Sequence, residues 1–251
     1  MNNVLKDRFF TRVFDDFKVM SLVVMKQVEL VKQLMDGKTD ESLYTEIYHN
    51  ERILDSLDVK LRKEIVNAIV LYSPRATDLR QIMSNYDITA YVERVGDLIM
   101  NMAHFLKTMD LKNEVYLCYK DNLALLFTIS ASMIENSIRS FSDENNALAR
   151  DIIQKDDAVD QLYYNITKSS HLDFAGRVLE EQQLNDLICV NNIAYNIERI
   201  GDNATNIAEA AIFVTEGLDI KHANMKKEEE EAAAKEVAAK AAAAKTAKKD
   251  M

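Results

Sequence analysis

Glu93-Arg94-Val95-Gly96-Asp97 and Glu198-Arg199-Ile200-Gly201-Asp202 are near copies of one another, set 105 residues apart. The same offset carries Glu51 and Asp55 onto Asp156 and Asp160, Glu46-Ile47 onto Asp151-Ile152, and Leu79 onto Leu184. It also carries Asn101 and Ala103 onto Asn206 and Ala208. A constant offset kept by so many features marks an internal repeat. The expected halves are residues 1–110 and 111–218, with a separate tail over 219–251.

Both copies read as helix. One proline and five glycines in 251 residues leave few breakers, so long helices joined by short turns are expected. Apolar residues recur at helical spacing from Asp7 to Met35 (Phe10, Phe14, Phe17, Leu22, Met25, Val28, Val31), and Gly37 supplies a stop. Phe9, Val13, Met20, Val24 and Leu34 widen this face beyond one stripe. A helix so broad is either central to its bundle or shared with another subunit, and self-association is expected. A second helix is predicted over 41–71 and a third over 76–109, with Ser73-Pro74 as N-cap and first helical position of the third. Repeating this plan gives an all-α fold: two tandem three-helix bundles, six long antiparallel helices, the last closed by Gly217.

Composition excludes several classes. The net charge of -10 argues against binding to nucleic-acid phosphates. The opening MNNVLKDRFF lacks the basic start and apolar run of a secretory signal, so export is not expected. The longest apolar runs, such as Leu22-Val23-Val24-Met25, fall far short of the ~20 residues that span a bilayer. Cys118 and Cys189 lie far apart without metal or redox spacing and read as ordinary small apolar residues of a reducing compartment. After Met225 the chain runs KKEEEEAAAKEVAAKAAAAKTAKKDM, with only Val237 large and apolar, and reads as a solvated helix or tail.

Residues four apart on a helix share a face, so Glu51 with Asp55, Glu93 with Asp97, Asp156 with Asp160 and Glu198 with Asp202 each form a two-carboxylate clamp. With 41 acids in 251 residues, random placement yields about 7 such pairs. What chance does not supply is the same two pairs on the same two helices of each repeat. Gly96 and Gly201 cost ~1 kcal/mol each inside a helix, which points to close helix approach or room for a bound ion. Four like charges gathered where two helices meet are best explained by a neutralising cation. All-oxygen donors suit magnesium, calcium, manganese or ferric iron. Asn101 and Asn206 continue the stripes and are expected to hydrogen-bond the carboxylates; Arg94 and Arg199 are expected to face solvent.

These residues resemble the PhoU family, whose members look like two tandem three-helix bundles with E/D-x-x-x-D motifs on two helices of each. The run IERIGDNATNIAE is similar to the family's signature helix, and SPRATDLR to the entry of its third helix. The resemblance extends to about residue 218. In the first copy, YVERVGDLIMNMAH, Leu98 replaces Asn203 and His104 replaces Glu209, so equal metal affinity in the two halves is not implied. The resemblance implies a cytoplasmic, often dimeric, non-enzymatic regulator, peripheral to the inner membrane through its partners. Those partners are the ATPase subunit of a phosphate ABC transporter and a membrane sensor histidine kinase, and the role is to dampen phosphate-starvation signalling. It further implies metal (Mg, Mn, Zn or Fe) at Glu51, Asp55, Glu93, Asp97, Asp156, Asp160, Glu198 and Asp202. The alternatives are a PhoU-like accessory protein of another phosphate or ion transporter, and a di-metal carboxylate enzyme. The enzyme class wants Glu-x-x-His on two helices. Here Glu46 and His49 supply it once, while Asp151 and Gln154 fill the matching positions. His104, His171 and His222 are scattered, and no phosphate loop or nucleophile elbow occurs.

Overall fold

The computed structural model describes residues 2–218 and Ile220, with side chains from Arg8 onward; the predicted tail otherwise lies outside them. Six helices follow in order: α1 (Asn2–Met35), α2 (Glu41–Tyr72), α3 (Thr77–Thr108), α4 (Glu114–Ser142), α5 (Asn146–Asp173) and α6 (Glu181–Glu216). The turn chemistry at their ends is local. Gly37 takes a φ of 93°, and the N–H groups of Gly37 and Lys38 bond to the carbonyls of Leu34 (2.9 Å) and Gln33 (3.1 Å), which closes α1. Asp40 caps α2 by accepting from the Ser42 N–H at 2.9 Å. Gly217 closes α6 in the left-handed region, its N–H bonded to the Phe213 carbonyl at 3.0 Å.

Ser73-Pro74 departs from the sequence reading. Ser73 is the left-handed C-cap of α2 (φ 45°), its N–H returning to the Ile69 carbonyl at 3.1 Å. Proline then blocks continuation because it has no N–H to offer. The next helix starts only at Thr77, after Ala76 at a φ of 48° and without a side-chain cap.

Helices α3 and α6 form the spine. They run antiparallel, with Arg80 beside Gly217 at one end and Thr108 beside Cys189 at the other. α1 and α2 pack on α3, and α4 and α5 pack on α6, so each repeat is a three-helix unit facing the other across the spine. The linker is held by α6: the buried Asp186 carboxylate accepts from the Asp110 N–H (3.1 Å), and Gln182 and Asn185 donate to the Thr108 carbonyl (both 3.2 Å).

The breadth of α1 is spent mostly inside the chain. Phe9, Val13, Phe17, Met20 and Val24 are buried. The Phe141 ring of α4 stacks with Phe14 and meets Phe17 edge-on, centroids 6.5 and 5.6 Å away. Tyr116 of α4 donates its hydroxyl to the Met35 carbonyl at 2.6 Å and so finishes the end of α1. Val19 and Leu22 remain exposed. Of the two cysteines, Cys189 is buried as expected, but Cys118 lies on the exposed side of α4.

Candidate metal centre

In the first repeat, α2 brings Glu51 and Asp55 toward Glu93 and Asp97 of α3. Glu51 is 7% exposed, Glu93 and Asp97 are half-buried, and Asp55 is exposed. Burial pushes the Glu51 carboxyl up to about 7; the Gln27 amide opposes the rise, and the negative charges of Asp97 and Asp55 add to it. Gln27 reaches across from α1, its Nε2 donating to Glu51 Oε2 at 3.1 Å and to the Ile47 carbonyl at 3.2 Å. The other Glu51 oxygen is buried without a hydrogen-bond partner. Glu93 is raised by burial and then by Asp97, Asp58 and Asp55.

The second repeat draws its acids closer. Carboxylate oxygens of Asp160 (α5), Glu198 and Asp202 (α6) lie within 4.8 Å of one another, which among the described residues no three acids of the first repeat match. Burial and then the Asp202 charge raise Glu198 to about 7, with Arg199 opposing and Asp160 and Asp156 adding. Asp156 rises to about 6, chiefly through burial and then Asp202 and Asp160, with the Thr205 hydroxyl pulling the other way. Asp202 is raised by burial against the pull of Arg199. Glu198 Oε2 and Asp156 Oδ1 are buried without partners. Orphaned acceptors beside a three-carboxylate cluster are the environment a hard cation satisfies, so the donor set of α5 and α6 fits a metal ion.

Both spine glycines serve close approach. A Cβ on Gly96 meets Leu54 Cδ1 at 2.5 Å and Glu51 Oε2 at 2.7 Å, so this glycine makes room for the carboxylate as well as for α2. At Gly201 the nearest atom is Val159 Cγ1 at 3.2 Å, a tight contact between α5 and α6.

Two sequence expectations change. Arg94 and Arg199 keep exposed guanidinium groups but turn back to pair with Asp97 (3.4 Å) and Asp202, respectively. Each arginine is one residue past the glutamate and so off the stripe, but it stands three before the aspartate, a spacing at which helix side chains are neighbours. Asn206 does not bond a carboxylate side chain; its Nδ2 donates to the Asp202 backbone carbonyl at 2.9 Å. Asn101 instead lines an open groove with Tyr44, Tyr48 and His104. Gln27 and Asp58 escaped the sequence reading. Asp58 lies one turn past Asp55, which a longer reading of that stripe finds, whereas nothing local in sequence ties Gln27 to Glu51.

The PhoU domain model matches residues 17–106 and again residues 123–211. The chain belongs to the PhoU family. It is 31% identical over 226 residues to the phosphate-specific transport system accessory protein PhoU homolog of Aquifex aeolicus, covering 87% of this chain and all of that protein. The homolog of the same name from Xylella fastidiosa (strain Temecula1) is 27% identical, covering 84% of this chain and 85% of its own. The fold matches the crystal structure of PhoU from Pseudomonas aeruginosa with a TM-score of 0.75 at 22% identity, over 84% of this chain and 99% of that one. The phosphate transport system regulatory protein PhoU from Streptococcus pneumoniae gives the same TM-score at 19% identity, over 85% and 98%. PhoU proteins are accessory and regulatory proteins rather than enzymes, and the non-enzymatic reading of the sequence holds for this chain. No helix among the described residues is long and apolar enough to cross a membrane.

Proposed function

We propose that this PhoU-family chain is a non-enzymatic regulator of phosphate uptake that relays the state of a phosphate ABC transporter to a membrane sensor histidine kinase. When phosphate is plentiful it represses starvation signalling. The names of its relatives support the transport role, and the acids gathered in each repeat, compact in the second, support the metal sites. In this reading Glu51, Asp55, Glu93 and Asp97 hold metal in one repeat, and Asp156, Asp160, Glu198 and Asp202 hold it in the other. The cation supplies positive charge that offsets the clustered acids and ties α2 to α3 and α5 to α6. The chain itself contributes helix approach at Gly96 and Gly201 and guanidinium groups that steady Asp97 and Asp202. Its partners are the transporter's ATPase subunit and the kinase, met in the cytoplasm at the inner membrane. Two copies pair through α1, where exposed Leu22 borders a groove lined by Phe14, Met25 and Ile138.

Elemental analysis of the purified chain, beside a variant with Glu93, Asp97, Glu198 and Asp202 all changed to alanine, tests the metal. Bound metal in the wild type and its loss in a variant that keeps its helicity is the expected result. The regulatory half is tested in a bacterium lacking its own PhoU protein, with a phosphate-starvation reporter grown in high phosphate. The wild-type chain restores repression and binds the purified ATPase subunit and kinase; a folded, metal-loaded chain that does neither would sink the proposal.

A further inference from the structure

One face of α2 is apolar and uncovered. Val59, Val66 and Val70 are 67%, 51% and 75% exposed, and their spacing of seven and four residues puts them on a single stripe of the helix. Exposed Lys63 stands on that stripe between them, and Asp55 of the first acid cluster continues it by one turn. Three β-branched side chains aligned in water make a face that lacks its cover. The second repeat does not share it. At the 105-residue offset stand Tyr164, Lys168, His171 and Ala175, and Lys168 lies over the Tyr164 ring, 5.6 Å from its centre.

The chain supplies a cover from its own sequence. α6 closes at Gly217 against the Arg80 guanidinium in the first turn of α3, and Ile220 packs back on the core. Only four residues separate that turn from the end of α2 at Tyr72, so the sequence beyond Ile220 sets out from the Val70 end of the stripe. Its charges are segregated. Residues 226–236 carry three lysines and five glutamates, four of them in the run Glu228 to Glu231, whereas residues 237–251 carry four lysines and one aspartate. The body is segregated in the opposite sense along the same direction. Lys63 and Arg75, near the Val70 end, form no ion pair among the described residues. At the far end Glu51, Asp55, Glu93 and Asp97 outnumber Arg52 and Arg94. The lengths agree as well: Val70 to Val59 covers ~17 Å of α2, and the ten residues from Glu230 to Lys240 would cover ~15 Å at the same rise.

We infer that this stripe is the docking face for residues 226–249 of the same chain. The glutamate run sits beside Arg75 and Lys63, Val237 and its neighbouring alanines cover the valines, and the lysines from Lys240 onward engage the first acid cluster. Tethering makes the contact intramolecular, so complementary charge and a modest apolar match suffice. On the metal reading proposed above, the docked lysines and the ion claim the same carboxylates, so the segment competes with metal at the first repeat and leaves the second free.

The test uses the full-length chain with a nitroxide at Ala242→Cys, Cys118→Ser removing the other exposed thiol. Spectra are recorded in chelator, so no metal enters. Backbone amide signals from Asp55 to Lys63 should lose more than half their intensity while those from Asp160 to Lys168 keep theirs. Changing Lys240, Lys245, Lys248 and Lys249 to glutamate should restore the lost signals. Full intensity from Asp55 to Lys63, equal loss in the two repeats, or loss that survives the charge reversal overturns the proposal. So does loss seen on isotope-labelled chains mixed with unlabelled chains that carry the nitroxide, which would place the segment of one copy on another. Deleting residues 226–251 should raise Mn²⁺ affinity at the first cluster about threefold, as expected for a face covered two-thirds of the time, and leave the second unchanged. Unchanged affinity at the first cluster overturns the competition. A first cluster that takes no Mn²⁺ in either chain counts against the metal reading alone, because the nitroxide result is obtained without it.

Discussion

The two carboxylate clusters descend from one sequence pattern but reach different geometries. Glu51 is long enough to be drawn toward α1, where Gln27 holds one of its oxygens, and the first repeat's acids do not converge as the second's do. Its counterpart Asp156 is one methylene shorter, and α4 places the small Ser130 near Gly201 instead of an amide donor. Glu198, Asp202 and Asp160 are left to face one another. The facing residue of a third helix, together with the length of the acid it meets, thus distinguishes the compact three-carboxylate cluster of the second repeat from the first.

The largest expected effect is on pH dependence. Glu51 and Glu198 are both raised from 4.5 to about 7, so each binds its proton more tightly in the folded than in the unfolded chain. Their contribution is full below pH 4.5 and is lost as the pH rises through 7. For the buried Glu51 this amounts to at most about 3 kcal/mol. Denaturant unfolding in chelator should show stability falling between pH 5 and pH 8, and Glu51→Gln or Glu198→Gln should each flatten part of that slope. A flat profile in the wild type would mean that neither acid gains a proton affinity on folding, and a slope flattened by only one of the substitutions would break the equivalence of the two acids. Added Mn²⁺ should restore stability at pH 8 more through the second repeat, and Glu198→Gln should abolish more of that rescue than Glu51→Gln.

Next come the glycines. Gly96→Ala drives a methyl against Leu54 and the Glu51 carboxylate and should cost about 2 kcal/mol, within the range of core overpacking. Gly201→Ala meets Val159 at a distance a small shift relieves and Ser130 at ordinary contact, and the ~1 kcal/mol gained in helix propensity should bring it close to neutral. Thermal unfolding of the two variants separates the sites; equal losses would show that both glycines serve packing alone.

Smallest is Gln27→Ala, with an expected loss of about 1 kcal/mol from the buried hydrogen bond to Glu51. Releasing Glu51 should also move the first cluster toward the second in Mn²⁺ affinity, by a few-fold in a titration. An unchanged affinity would mean that the amide does not set the difference.

The contrast also shows what a sequence discloses. The repeat was legible because eight acids and two glycines keep one offset, and helix closures at Gly37 and Gly217 followed from backbone chemistry that glycine performs alone. Ser73-Pro74 was misread because proline is compatible with both the exit of one helix and the entry of the next; the left-handed Ser73 decides between them. The facing of Glu51 and Glu93 was readable from helical period, but the reach of Gln27 from α1 depends on tertiary packing across 24 residues of chain. Likewise Arg94 and Arg199 lie off the acidic face by position and return to it by length. The broad face of α1 was read from its own residues, whereas the ring that covers Phe14 and Phe17 belongs to α4.

The hydroxyl of Tyr116 on the Met35 carbonyl spans 81 residues of chain. During synthesis the first three helices leave the ribosome before Tyr116 does, so through that interval the Met35 carbonyl lacks its tyrosine partner. The amino-terminal unit therefore gains this bond only as the second unit begins to emerge, and the bonds that hold the end of α3 at Thr108 come later still, with α6.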